Sequence, residues 1–443
     1  MSSPLAVEIQ IEIVLTALSN GVSPTTLMLV CGTWKYIVYE RMHSAQIADN
    51  ISEDIAERVI AHFQKARFHP IFLCLPGLDF GFRVQEWTYI RDFSTTFFPR
   101  VTSLGLRGNW DIIRELVANF GSTLPLLEEL SIYFKLLGTV TPHLELTTFS
   151  RLRVLRLAGD WSDPLSIQSA PITFPATNIR HLELGSETLN VYVARAILSS
   201  CIQVQTCVLH IGFRGQNPPT SRSSFVSPVE DLHISGYGDT SEILTDAQFP
   251  KLQLLTIHEA FHAEDPNDRS ALAVLDGSAL PVLASLSTTV ASYDADFLHL
   301  LRRLPTLVSL ELSLMGGLLI NKAVSVLAGT NMLPSLRDLC VISRCKGQPC
   351  EELEEQVLSL ISSRQRGLQR AFFSAQEVEI KWETGMDHPH VRTLCYPCTI
   401  APLWAFDLWP RRTLYNNSTV AVMFDADFAV PFSLDRHPVV AYY

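Results

Sequence analysis

Pro305-Thr306-Leu307-Val308-Ser309-Leu310-Glu311-Leu312 is the stretch whose reading decides the fold. Its phrase, Pro-x-Leu-x-x-Leu-x-Leu with substitutions, recurs along the chain. Upstream it reads PRVTSLGL at 99–106, PLLEELSI at 125–132, SRLRVLRL at 150–157 and NIRHLEL at 178–184. It continues as QVQTCVL at 203–209, PVEDLHI at 228–234, PKLQLLTI at 250–257 and PVLASL at 281–286, and returns as PSLRDLCV at 334–341. The central apolar residues are Leu104, Leu130, Leu155, Leu182, Cys207, Leu232, Leu255, Leu286, Leu310 and Leu339. Successive gaps are 26, 25, 27, 25, 25, 23, 31, 24 and 29 residues.

Two leucines two apart point to one face of a strand, so each phrase predicts a short strand with one buried side. Between phrases lie runs with apolar residues at spacings of three and four, which predict helices. They are 111–120, 189–199, 269–275, 295–304 and 350–363. A period near 25 falls in the range of about 20–29 residues that marks leucine-rich repeats. The expected architecture is an α/β leucine-rich-repeat solenoid, a horseshoe of about eleven units. Parallel strands line its concave side and helices its convex side. No single unit could bury its own leucines, so the array stands only as a stack.

The repeats are expected over 98–382. Residues 49–97 read as a helix at 54–65, with Ser52 as N-cap, and a first irregular strand at 70–75. A last strand is expected at 377–382. Residues 383–443 lose the period and read as an irregular cap or tail.

Composition narrows the function. Lys and Arg number 34 against 45 Asp and Glu, a formal charge of −11. That argues against nucleic acid, whose binders need a basic face, and against anionic membranes. No stretch approaches about 18 uninterrupted apolar residues. The N-terminus has no basic region, and Glu8 and Glu12 interrupt its apolar run, so a signal peptide is not expected. Nine scattered cysteines fit reduced thiols in cytoplasm or nucleus.

Residues 1–48 form a distinct helical module. The stretch 8–18 (EIQIEIVLTAL) is apolar almost all round, so a helix there must be surrounded. A second helix starts at Ser23-Pro24 and carries Leu27, Met28, Leu29, Val30, Cys31 and Trp34. Some forty residues cannot enclose two such helices alone. Their surplus apolar surface either docks on the repeats as a cap or meets another chain.

The pattern Leu5-x-x-Glu8-Ile9-x-x-Glu12-Ile13, then Leu18, Pro24-x-x-Leu27 and Val30-Cys31-x-x-Trp34, resembles the F-box. It departs at Ala6, where that family usually has proline, and in the turn at 20–23. The whole chain looks like the F-box/leucine-rich proteins of fungi. The resemblance implies a non-catalytic substrate receptor of a Skp–cullin–F-box ubiquitin ligase, within the ubiquitin-conjugation pathway. It implies that Leu5, Glu8, Ile9, Ile13, Leu18, Pro24, Leu27, Val30, Cys31 and Trp34 contact a Skp-type adaptor, and through it a cullin–RING assembly. The repeats would then hold an unidentified protein substrate. The alternative is a leucine-rich scaffold that recruits no ligase.

Other constellations compete. His258-Glu259-Ala260-Phe261-His262 matches H-E-x-x-H, which binds zinc when a helix brings both imidazoles to one face. A zinc hydrolase through His258, Glu259 and His262 is the enzymatic alternative. Here the motif follows a strand phrase and runs into turn residues, so no metal or other cofactor is expected. Cys395-Tyr396-Pro397-Cys398 near His388 and His390 is a lone CxxC, a weak signal.

By phase, the face opposite the leucines carries Ser103, Gly105 and Arg107, then Glu129, Ser131 and Tyr133, then Val154 and Arg156. It continues with His181, Glu183, Val208, His210, Asp231, His233, Thr256 and His258, then Ser309, Glu311, Ser313, Asp338 and Cys340. It is read as a solvated polar face, or as a substrate or pH-sensitive surface, since histidine recurs at 181, 210, 233 and 258. Trp110, Trp161, Phe213 and Phe261 each follow a last strand leucine or isoleucine by four residues. They are expected as loop anchors or as substrate hot spots. The candidate substrate contacts are Trp110, Tyr133, Trp161, His181, His210 and His233.

Overall fold

The computed structural model describes residues 13, 44–47, 71–78, 98–135, 144–159, 172–173, 177–200, 202–213, 224–237, 241–260, 280–290, 300–314, 320–329, 332–343, 353–364, 367–375, 378–386, 388–393 and 439–442. These residues form a mixed α/β fold with many strands, few helices and no closed barrel. The chain divides into two compact units.

The first unit comprises residues 1–159, 171–178 and 403–443. Its elements are β1 (Ser44–Ile47), β2 (Ile71–Leu78), β3 (Val101–Asn109), α1 (Trp110–Phe120), β4 (Glu129–Lys135), β5 (Leu144–Glu145), β6 (Val154–Gly159) and β7 (Ile172–Thr173). Strands β1, β2, β3, β4 and β6 pair in that order, all parallel. Val439–Tyr442 pairs in parallel with the other edge of β1. Strands β5 and β7 form a separate parallel pair.

The second unit comprises residues 160–170 and 179–402. It runs β8 (His181–Asn190), α2 (Val191–Ser200), β9 (Thr206–Phe213), β10 (Phe225–Val226), β11 (Asp231–Tyr237), α3 (Ser241–Leu244), β12 (Ala247–Gln248) and β13 (Leu254–Ala260). Then follow β14 (Ser285–Val290), β15 (Ser309–Leu314), α4 (Ile320–Leu327), β16 (Asp338–Ser343), α5 (Leu353–Ser363), β17 (Arg370–Ala375), β18 (Val378–Glu383) and β19 (His390–Thr393). Strands β8, β9, β11, β13, β14, β15, β16 and β17 pair in chain order, all parallel. The direction then reverses, because β18 and β19 are antiparallel additions.

Register explains the phrase. The central apolar residues Leu182, Cys207, Leu232, Leu255, Leu286, Leu310 and Leu339 lie side by side in one row, ending on Ala371. The last positions Leu184, Leu209, Ile234, Ile257, Thr288, Leu312 and Val341 form a second row, ending on Phe373. Every one of these residues is buried. Burying a leucine-sized side chain stabilises by about 1.5–3 kcal/mol, and each row draws that burial from its neighbours.

The proline also has a reason. Leu127 donates its N–H to Leu124, Leu252 to Phe249, Leu283 to Leu280, Leu307 to Leu304 and Leu336 to Leu333, at 3.1–3.3 Å. Each is a four-residue turn whose second position is Pro125, Pro250, Pro281, Pro305 or Pro334, where a fixed φ is already suited to the turn. The carbonyl of each copy then accepts two consecutive N–H groups from the next. Gln205 and Thr206 donate to Arg180, and Val308 and Ser309 to Ala284, at 2.8–3.0 Å.

Three expectations are corrected in detail. Helix α4 (INKAVSVL) was not expected, yet Ile320, Ala323, Val324 and Leu327 follow helical spacing and are buried. Strand β17 is a further copy, Leu368-x-x-Ala371-x-Phe373, hidden in sequence because alanine and phenylalanine replace leucine. The strand expected at 377–382 exists as β18, but it turns back against β17. The helix expected at 269–275 lies outside the described residues.

Arginines tie neighbouring helices together. Arg364, after α5, donates to the carbonyl of Leu327 at the end of α4 and to those of Gly329, Met332 and Leu333 just beyond it. Arg195 on α2 likewise reaches Ile243 and Thr245 at the end of α3 and stacks over Phe225. A cation at a helix C-terminus satisfies the orphan carbonyls and the macrodipole together. Arg364→Met is expected to cost about 2–3 kcal/mol, read as a lower urea midpoint. Arg364→Lys should recover only part, since one ammonium cannot span four carbonyls. An unchanged midpoint in Arg364→Met would contradict the tie.

Candidate functional site

The face opposite the leucines is the candidate site, and in the second unit it is built by eight parallel strands. Period-two alternation puts His181, Thr206, Asp231, Leu254, Ser285, Ser309, Asp338 and Arg370 in its first row. The second row is Glu183, Val208, His233, Thr256, Ser287, Glu311, Cys340 and Phe372. The third begins Gly185, His210, Ser235 and His258.

The solvated reading of this face needs correction. His210, Thr256, Ser287, Glu311, Ser313 and Cys340 are buried, and Glu311 keeps only 7% of its surface exposed. Neighbouring strands lie about 4.8 Å apart, so a short side chain in mid-row is shielded from both sides. His181, Glu183, Asp231, His233, Ser235 and His258 stay half-buried, as do Ser285, Ser309, Asp338 and Arg370 in the first row.

The four histidines share this face but not one row. His181 lies in the first row, with Nε2 3.9 Å from a Glu183 carboxylate oxygen. His233 is in the second, and His210 and His258 are in the third. The rings of His233 and His258 meet edge to face, with centroids 5.9 Å apart. His210 Nδ1 lies 3.1 Å from Ser235 Oγ. Burial holds the His210 imidazole below its ordinary range, because the charged form loses water. At the far end Arg370 Nε donates to Asp338 at 2.7 Å. That bond raises the Arg370 pKa, against the lowering by burial.

Sequence reasoning missed Ser235, Ser287 and Thr289. A serine or threonine on a strand carries neither charge nor aromatic bulk to single it out in the sequence. The phase that exposed the histidines marks these hydroxyls equally.

The other expected site residues fall as follows. Trp110 is 1% exposed and packs on Phe134, with centroids 4.5 Å apart. It is a buried anchor at the start of α1, not a surface hot spot, because the indole fills the space beneath β4. Tyr133 is half-buried on β4, between Arg107 and Ala158 in register. Beside it Arg156 pairs with Glu129. Trp161, Phe261, Cys395 and Cys398 lie outside the described residues.

Residues 258–260 of the H-E-x-x-H stretch belong to β13. That strand conformation is not the helix that brings both imidazoles to one face, so these residues do not form the helical zinc arrangement. His262 lies outside the described residues. Among the described residues no group of three or more His, Cys, Asp or Glu could hold a metal ion, and no helix is long and apolar enough to cross a membrane.

Of the F-box-like residues, Leu5, Glu8, Ile9, Leu18, Pro24, Leu27, Val30, Cys31 and Trp34 lie outside the described residues. Ile13 is helical, and 38% of its surface is exposed. Compared with protein-family models and with curated proteins, the chain matches none.

Proposed function

We propose that this protein is the substrate-recognition subunit of a Skp–cullin–F-box ubiquitin ligase. Its N-terminal helices form the F-box and bind the Skp-type adaptor. Its leucine-rich repeats form a solenoid that holds a protein substrate. The receptor does no bond chemistry; it raises the local concentration of substrate beside the ubiquitin-carrying enzyme.

The observation that carries the reading is the order of two features. A motif with F-box spacing, from Leu5 to Trp34, precedes a series of parallel strands that, in the second unit, carries a largely polar face. The exposed Ile13 is consistent with an apolar flank left for a partner. A scaffold that recruits no ligase would share the strands but not the adaptor contact.

Co-expression with a Skp-type adaptor tests the reading. The wild-type chain is expected to co-purify with the adaptor at one to one. Ile9→Asp and Trp34→Ala should each weaken the complex about a hundredfold, the usual cost of losing a buried anchor. Their melting temperatures should stay near wild type. Absence of a wild-type complex, or full retention in both variants, would favour the scaffold.

A further inference from the structure

One hydroxyl on the polar face is surrounded by imidazoles. Ser235 on β11 stands directly opposite His210 on β9 and His258 on β13. His233 precedes it by two residues on the same side of β11. Two further hydroxyls lie beyond His258. Its Nε2 is 3.5 Å from Ser287 Oγ, and its Nδ1 is 3.5 Å from Thr289 Oγ1.

These contacts respond to protonation in a defined way. A neutral imidazole has one N–H donor and one acceptor nitrogen. Between two hydroxyls, His258 donates to one and accepts a proton from the other. As an imidazolium it donates from both nitrogens, so both hydroxyls become its acceptors. The hydroxyl proton it had been accepting is then turned outward. The His210–Ser235 contact behaves in the same way when Nδ1 gains its proton.

The acidified cluster therefore combines positive rings from three strands with outward O–H donors from two. We propose that Ser235, framed by His210, His233 and His258 and backed by Ser287 and Thr289, is a proton-gated site for a tetrahedral oxyanion. A phosphoryl or sulfuryl group on a partner is the class of ligand it takes. The site goes beyond the ligase reading and does not depend on it.

The surroundings permit this charge. On β8, Glu183 shares the row of His233 with Val208 between them, and His181 lies one row further. On β11, Asp231 is two residues from His233. On β15, the buried Glu311 stands directly opposite Ser287 in the row of His233, a carboxylate that the imidazolium charges must outweigh. Among the described residues, β9 and β14 bring no charged side chain to the cluster besides His210. Burial opposes the charge on His210, so a bound anion and that proton favour each other. Binding should take up protons.

Calorimetry with sodium sulfate on the full chain tests the site, because sulfate keeps its charge between pH 5.5 and 7.5. Binding is expected to be about tenfold tighter at pH 5.5 than at pH 7.5, because a proton is taken up with the anion. Proton uptake should show as a dependence of the heat on buffer. Ser235→Ala and His258→Gln should each weaken sulfate at least tenfold at pH 5.5, and His388→Gln, outside the site, should not. Wild-type histidine NMR adds a readout free of folding effects: the His210 and His258 ring signals should move on adding sulfate and far less with acetate. Equal affinity at both pH values, wild-type affinity in both site variants, unmoved ring signals, or acetate binding as tightly would each overturn the proposal.

Discussion

Gly236→Ala is expected to be a strongly damaging methyl addition, costing about 2–5 kcal/mol. Gly236 sits at φ +132° in β11, a conformation that L side chains rarely adopt. It pairs directly with Ile211 of β9. An added Cβ would overlap the Ile211 carbonyl oxygen and lie 2.7 Å from its carbonyl carbon and 2.8 Å from its nitrogen. Unlike the tip of a flexible side chain, backbone cannot move aside without opening the ladder. The conformational strain alone is worth about 1–2 kcal/mol, and forced overpacking adds about 1–3 kcal/mol.

Gly385→Ala separates these contributions. Gly385 has φ +98°, but nothing lies within 4 Å of where its Cβ would be. It should lose only the strain. Urea denaturation of the two variants gives the comparison. If Gly236→Ala shifts the midpoint no more than Gly385→Ala, the close approach between β9 and β11 is not what the geometry indicates.

The second large effect is at Trp110. Its indole is buried, and its ring is tilted 53° to that of Phe134. Asn109 fixes the start of the helix, accepting the Asp111 N–H at 2.8 Å. Gly108 and Gly159, both with positive φ, occupy the positions beside Phe134 in the neighbouring strands. An added Cβ on Gly159 would lie 2.9 Å from the Phe134 ring. The two aromatic rings and the two glycines therefore form one packing unit.

Trp110→Ala should destabilise the first unit by about 3–5 kcal/mol, the usual cost of deleting a buried aromatic. Trp110→Phe should lose much less, because the ring contact with Phe134 survives in part. Denaturation followed by near-ultraviolet circular dichroism checks both. An unchanged midpoint in Trp110→Ala, with loss of partner binding, would return the residue to the substrate surface.

How far the sequence could be read depended on what each residue had to do. The leucine rows were legible because a strand buried on one face must repeat its apolar residues at period two. Ten phrases in phase made that requirement visible. Strand β17 was illegible for the opposite reason: Ala371 and Phe373 meet the same burial need with different volumes. The turn prolines were visible as letters, but their purpose was not. Only the Leu127-to-Leu124 type of hydrogen bond shows that they preset a turn.

The candidate site was half legible. Phase alone put four histidines on one side of the strands. Their neighbours depended on register, which couples residues 20 to 30 positions apart. Ser235 gains its meaning from His210 and His258, and neither lies near it in the chain.

From the amino-acid order alone came the period, the strands, the polar face and the resemblance at the N-terminus, because local alternation and spacing are properties of one chain segment at a time. Only the folded chain decided which side chains become neighbours across strands, how deeply the polar rows are covered, where β18 turns back and that Trp110 is hidden. Those depend on distances between segments, and such distances are set by packing the copies against one another.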